Sequence, residues 1–381
     1  VATQNEALRR RFPGTPEHAV RFLIYVAQEV REILAEMGVR RLDEIVGRND
    51  LLERREVPLE RASDVDLTPL LEPFPAWRPK PLERRAERPE DGPLLDDQLS
   101  ATFAPALQDR KPRFARFAVR NRERAVGARL SGEIARFHGE EGLPAGTVHA
   151  RIEGVAGQSF GAFLAPGVFL ELVGEAQDYL AKGMAGGLIS VRPPLFREAP
   201  EILAGNTVLY GATGGALYVA GRVGERFAVR NSGARAVVEG VGEHACEYMT
   251  GGLVVVLGET GQNFAAGMTG GVAYVYDPES RFPERYNPTL VGIARLAPGV
   301  DDELLRAMLE RHLKLTGSPR ARAILEDWEE RRGDFWKVAP LTLPEGLTPG
   351  DTEALLLEAV RAESVLEPAP EGVVADGGSG D

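Results

Sequence analysis

His244 and Cys246 stand two residues apart, a spacing that on a strand puts both side chains on one face. An imidazole and a thiolate are good metal ligands, but a site needs three or four. Cys246 is the only cysteine, and the other histidines are His18, His138, His149 and His312. One cysteine forms no internal disulfide and cannot by itself hold zinc or an iron–sulfur cluster. The expectation is a polar residue beside a small buried thiol in the wall of the fold. No serine, histidine and aspartate set can be picked out, and the paired acids Glu140–Glu141 and Glu329–Glu330 read as solvated faces. Glycine clusters such as Thr250-Gly251-Gly252 invite comparison with phosphate cradles. The same pattern recurs along the chain, however, and no copy ends in the Lys-Ser/Thr of a P-loop. A corner-forming role fits this recurrence better.

That recurrence organises the middle of the chain. Six segments place a glycine before an apolar run, at Gly167, Gly187, Gly215, Gly233, Gly252 and Gly271. Their spacings are 20, 28, 18, 19 and 19 residues, and Gly146 and Gly127 extend the series backward. Self-similarity near 20 residues marks units too short to bury their own apolar face, so neighbours must stack. The run after each glycine alternates. Ile189 and Val191, Leu217 and Val219, Val254 and Val256, and Ala273 and Val275 fall at matching offsets and predict inward ladders. Leu170 and Leu172 join that row with a one-residue shift, while Glu171, Tyr218 and Tyr274 fall on the other face. The glycines supply positive φ at tight corners or close backbone approach between coils. The expected fold is mainly β: a right-handed parallel β-helix, one chain wound in coils of about 19 residues, with helical segments at both ends. The spacing of 28 contains RPPLFREAP, read as a protruding loop.

The flanks position this repeat. Thr15 and Pro16 start an amphipathic helix over 16–37 that Gly38 stops. Its stripe of Val20, Leu23, Ala27, Val30, Leu34 and Met37 is widened by Phe22, Ile24 and Val26, which predicts burial on more than one side. A short second helix is expected over 42–52. Ten prolines between Pro58 and Pro112 predict an extended strap over 56–115, anchored by Phe74, Trp77 and Phe103. The repeat is bounded at 116–285. A helical segment follows over 286–365, including a helix over 351–365. The acidic, glycine-rich tail 366–381 reads as disordered.

Net charge is −12, and most of it lies after residue 300. Nucleic-acid binding needs a basic stripe, so it is excluded as an expectation. No run approaches the roughly 20 apolar residues of a membrane span, and no signal peptide is expected, since Arg9, Arg10 and Arg11 are followed by no apolar stretch with a cleavage site. A cytoplasmic protein is expected.

QSFGAFLAPGVFLELVG (158–174), RNSGARAVVEGVGEHACEYMTGG (230–252) and GQNFAAGMTGGVAYVYD (261–277) resemble the GXGXG domain that ends glutamate synthase large subunits. TGSPRARAIL (316–325), Trp328, Lys337–Val338 and the opening VATQNEALRRRFPGTPEHAV (1–20) resemble the same family. The resemblance implies an assembly. An amidotransferase domain releases ammonia from glutamine, and the ammonia travels to 2-oxoglutarate. An FMN-bearing barrel with an iron–sulfur cluster then reduces the imine to glutamate. Electrons come from ferredoxin or a small (beta) subunit, and self-association is a further expectation. The β-helix is scaffold. Residues 1–55 would match the end of the barrel region, with Thr3 and Gln4 close to the cluster. No catalytic, cofactor-binding or metal residue carries over, because the nucleophile, the barrel and the cluster cysteines have no counterpart in the matching segments. The chain opens with valine; a separate gene product, a cloned fragment and a cleavage product all stay open.

Three other readings fit the pattern less well. A self-sufficient β-helix enzyme such as a polysaccharide lyase needs carboxylates in register on successive coils, and Glu171 and Glu239 share no offset. A left-handed hexapeptide-repeat acyltransferase needs strict six-residue units. The GXGXG subunit of formylmethanofuran dehydrogenase would not explain the opening and ending segments.

Overall fold

The computed structural model describes residues 10–11, 13–55, 65–72, 94–195, 202–296, 298–342 and 350–362. Thr3, Gln4, Phe74, Trp77, most of the protruding loop and the acidic tail lie outside the described residues. The chain divides into two compact units, residues 1–90 and 91–381.

In the first unit, helix α1 spans Pro16–Glu36. Thr15 is extended and donates its N–H to His18 Nδ1 (3.3 Å), while the His18 N–H returns to Thr15 O (3.0 Å). Gly38, at φ 71°, takes the left-handed turn after the last helical residues. Only Leu34 of α1 is buried; Phe22, Leu23 and Tyr25 are each about two-thirds exposed (67%, 66% and 68%). The expected second helix is instead two 3₁₀ turns, Leu42–Glu44 and Asn49–Leu51. Gly47 between them has φ 81°, which no helix continues.

The second unit opens with helix α2, Leu95–Asp109, where the prolines had suggested an extended strap. Pro105 removes one helical hydrogen bond, at a cost of about 3 kcal/mol. Burial of Leu95, Leu99, Phe103, Ala106 and Leu107 along one stripe outweighs it, since each large apolar side chain contributes roughly 1.5–3 kcal/mol. Helix α3, Ala128–His138, packs on α2, and the buried Asp96 carboxylate accepts the N–H groups of Gly127 and Arg129 at the start of α3.

Among the described residues, twelve strands form one mixed sheet. They are β1 (Arg113–Val119), β2 (Val148–Ala156), β3 (Val168–Ala176), β4 (Ala185–Arg192), β5 (Ile202–Ala204), β6 (Gly214–Val219), β7 (Arg222–Val223), β8 (Ser232–Val238), β9 (Thr250–Val256), β10 (Gly270–Tyr276), β11 (Val291–Arg295) and β12 (Phe335–Pro340). The order is β1-β2-β3-β4-β6-β8-β9-β10-β12-β11, with β5 pairing β3 and β7. Every neighbouring pair from β1 to β10 is parallel; β12 runs antiparallel to both β10 and β11. Had β10 been left at the edge, it would present a row of unpaired backbone groups; β12 covers it.

The connections stack as regularly as the strands. In six of them, three alternate residues take positive φ, as at Tyr179 (63°), Ala181 (58°) and Gly183 (62°). The middle N–H points back one connection and the outer two point forward: Ala181 to Phe160 O, Tyr179 to Asn206 O, and Gly183 to Tyr210 O, all 2.8 Å. The pattern recurs at Thr207, Leu209 and Gly211, and at His244, Cys246 and Tyr248. A left-handed non-glycine residue costs on the order of 1 kcal/mol. The hydrogen bonds between connections offset that cost by satisfying backbone groups that would otherwise be buried unpaired.

After the sheet's parallel run come helices α4 (Val300–Thr316), α5 (Pro319–Glu326) and α6 (Asp351–Ala362). They cover the sheet's outer face around β6 to β10, where Tyr218, Val255 and Tyr274 pack with Leu304, Met308 and Leu309.

Candidate functional site

The glycine corner comes first. Gly167, Gly187, Gly215, Gly252 and Gly271 all have φ between 69° and 90°. At Gly187 a Cβ would stand 2.6 Å from the Val168 carbonyl oxygen, and at Gly271 2.7 Å from that of Gly252. Conformation and clearance both demand glycine there. Gly233 differs. Register aligns Arg235 with Ala216 on one side and Leu253 on the other, so Ala234 stands in the corner position of this repeat. Asn231 brackets it: its Oδ1 accepts the Ala234 N–H and its Nδ2 donates to Ala234 O, both at 2.9 Å. Gly233 lies one place earlier, where a Cβ would collide with Thr213 O.

Beyond the corners, two rows run through the parallel strands. Leu170, Ile189, Leu217, Ala236, Val254 and Ala273 are in register, as are Leu172, Val191, Val219, Val238, Val256 and Val275. All are at most 1% exposed and lie in one apolar body. Tyr218 and Tyr274 sit on the opposite face, in a second body with the C-terminal helices. Burial pushes the Tyr218 phenol up to about 12. The Tyr274 hydroxyl donates to Asp301, which also pairs with Lys337 (3.0 Å).

The candidate reactive residues do not converge. His244 and Cys246 sit in a connection, not on a strand, each with positive φ. His244 faces Glu247 (3.2 Å), whereas the Cys246 thiol is fully buried and its pKa is pushed up by burial. A thiol so held stays protonated and unreactive. Among the described residues no three His, Cys, Asp or Glu side chains could share a metal ion.

Two acids that the repeat pattern left unassigned are buried with cations. Glu171, fully buried, meets His149 (3.4 Å), Arg151 (3.5 Å) and Arg192 (4.0 Å). Glu239 lies beside His312 Nε2 (3.5 Å) and accepts the Ser318 hydroxyl, which also caps α5 by accepting the Ala321 N–H (3.0 Å). Burial works to raise the Glu239 pKa; the His312 and Ser318 contacts, with the Arg320 charge, hold it lower than usual. The partners of Glu239 come from the C-terminal helical region, more than 70 residues further along, and leave no mark in the local sequence.

Glycine corners and two continuous apolar rows define a repeat-built module. The chain belongs to the GXGXG motif family, whose model matches residues 96–341. It is 45% identical over 347 residues to a ferredoxin-dependent glutamate synthase of Spinacia oleracea, covering 89% of this chain and 21% of that protein. Ferredoxin-dependent glutamate synthase 2 of Synechocystis sp. matches at 44% over 346 residues, 22% of its length. The NADH glutamate synthase of Schizosaccharomyces pombe matches at 45% over 346 residues, 16% of its length. The chain thus spans about a fifth of the length of the curated relatives it matches.

Proposed function

We propose that this chain is the C-terminal GXGXG part of a glutamate synthase large subunit, a scaffold without an active site of its own. The observation that carries this reading is identity of 44–45% over 89% of the chain to glutamate synthases. The chemistry would lie on partner domains: an amidotransferase that frees ammonia from glutamine, and an FMN barrel with an iron–sulfur cluster that reduces the imine of 2-oxoglutarate. Relatives named for ferredoxin and for NADH match equally well, which supports placing the choice of electron donor outside this segment. The setting proposed is the cytoplasm; among the described residues no helix is long and apolar enough to cross a membrane.

The strands are proposed to wind as a right-handed, single-stranded parallel β-helix over 116–285, flanked by helical segments. In-register parallel strands at a near-constant repeat and the stacked connections between them support that winding. A rigid stack suits a scaffold, because each coil is held by its neighbours along its whole length.

The exposed apolar side chains of α1 form the proposed docking element for the FMN-bearing domain. Deleting residues 1–55 is expected to leave the melting temperature of the remainder unchanged and to abolish capture of a fragment carrying the amidotransferase and FMN domains. A pull-down with matched melting curves checks it. Undiminished capture by the truncated chain would move the docking surface to the sheet.

A further inference from the structure

A cavity of about 560 Å³ opens between the ends of β9 and β10, the 278–285 loop and α5. That is ample for a small organic ligand. Five arginines line it: Arg222, Arg281, Arg285, Arg320 and Arg331. Four acids line it too, and each has its own partners. Asp277 accepts the N–H groups of Arg281 (3.1 Å) and Phe282 (2.8 Å) and the Trp336 indole (3.1 Å). Glu239 faces His312 and Ser318, and the Arg320 charge acts on it from beyond ion-pair distance. Glu259 lies 3.7 Å from Arg222 and 3.8 Å from Arg281, which also meets Glu279 at 2.8 Å.

Two cations are left in a different state. Arg320 Nη1 donates to Leu257 O (2.8 Å) and Arg285 Nη1 donates to Thr260 O. Neither has a carboxylate within 4 Å among the described residues. A carbonyl oxygen orients a guanidinium without neutralising it, and each guanidinium has five N–H donors. Two arginines are therefore held by backbone on the wall of one cavity. Val275, Phe282, Ala323 and Ile324 supply an apolar surface beside them.

We propose that this cavity binds a small organic oxyanion, a carboxylate or a phosphate ester, with its charged group on Arg285 and Arg320 and its carbon body on the apolar wall. The chemistry is charge-assisted hydrogen bonding to an orienting fork, which suits either oxyanion.

The test is isothermal titration of the full chain at low ionic strength with succinate and with glycerol 3-phosphate, in separate arms. Saturable one-to-one binding of at least one is expected, and the arm that binds identifies the class. Arg285→Met and Arg320→Met should each weaken it by roughly tenfold or more. Arg230→Met, on an exposed connection outside the cavity, should leave it unchanged. Hydrogen exchange on the wild-type chain keeps the proposal testable should either variant fail to fold. Protection on ligand addition should fall in 278–285 and 319–326. No binding of either probe with a Kd below about 10 mM, equal binding by both arginine variants, or protection confined to other segments would overturn it.

Discussion

The ring of Tyr248 lies against Gly267, so close that a Cβ on that glycine would stand 2.5 Å from it. Phe163 covers Gly183 in the same way, with a clearance of 2.6 Å. Both glycines end a triplet of left-handed residues, and both aromatic rings come from the preceding connection. An exposed ring thus shields backbone where the next connection has no side chain.

Replacement of Gly267 by alanine should therefore do two kinds of harm. Its φ of 72° costs an alanine about 1 kcal/mol, and the Tyr248 ring must move, adding on the order of 1 kcal/mol. Gly211 is the control: its φ is 61°, but nothing lies within 4 Å of its would-be Cβ. Urea denaturation should show Gly267→Ala losing clearly more stability than Gly211→Ala. Equal losses would mean that the backbone conformation alone matters.

Val256 is fully buried between Val238 and Val275 in the inner row. Val256→Asp places a carboxyl among apolar neighbours with no partner and should cost roughly 3 kcal/mol or more. Arg222→Ala, at a half-exposed side chain, should stay within about 0.5 kcal/mol. Thermal denaturation of the two variants separates these outcomes; matching midpoints would contradict the inner row.

Much of this was legible because the repeat is written in glycines. A corner that demands positive φ leaves a residue type behind, so Gly187, Gly252 and Gly271 could be aligned by spacing alone. Gly233 was misleading for a physical reason: Asn231 supplies side-chain hydrogen bonds that replace the left-handed corner, and alanine then suffices at 234. The stacked connections were invisible because their left-handed positions hold Tyr179, Leu209, Arg226 and His244, none of which advertises that conformation. Strand β12 escaped notice as well, since it pairs with β10 across some 60 residues and carries little alternation of its own. The arginine-lined cavity draws its walls from well-separated stretches of chain between Arg222 and Arg331, so no local motif could reveal it.

Glu239 makes stability depend on acid. Its carboxyl is held below the usual range in the folded chain, so its contribution is complete above the ordinary carboxylate pKa and fades as pH falls through the folded value. Glu239→Gln should lower the melting temperature at pH 7, and the gap from wild type should close as pH drops below about 4. A gap that stays constant across that window would show that the charge on Glu239 plays no part.

The scaffold reading is tested most directly by reconstitution. A fragment carrying the amidotransferase and FMN domains of a glutamate synthase, lacking its GXGXG segment, is assayed for glutamate formation from glutamine and 2-oxoglutarate with a reductant. This chain is then added. The account predicts no activity from the chain alone, little from the fragment alone, and recovery in the mixture that saturates at one chain per fragment. Full activity of the fragment by itself, or turnover by the isolated chain, would contradict it.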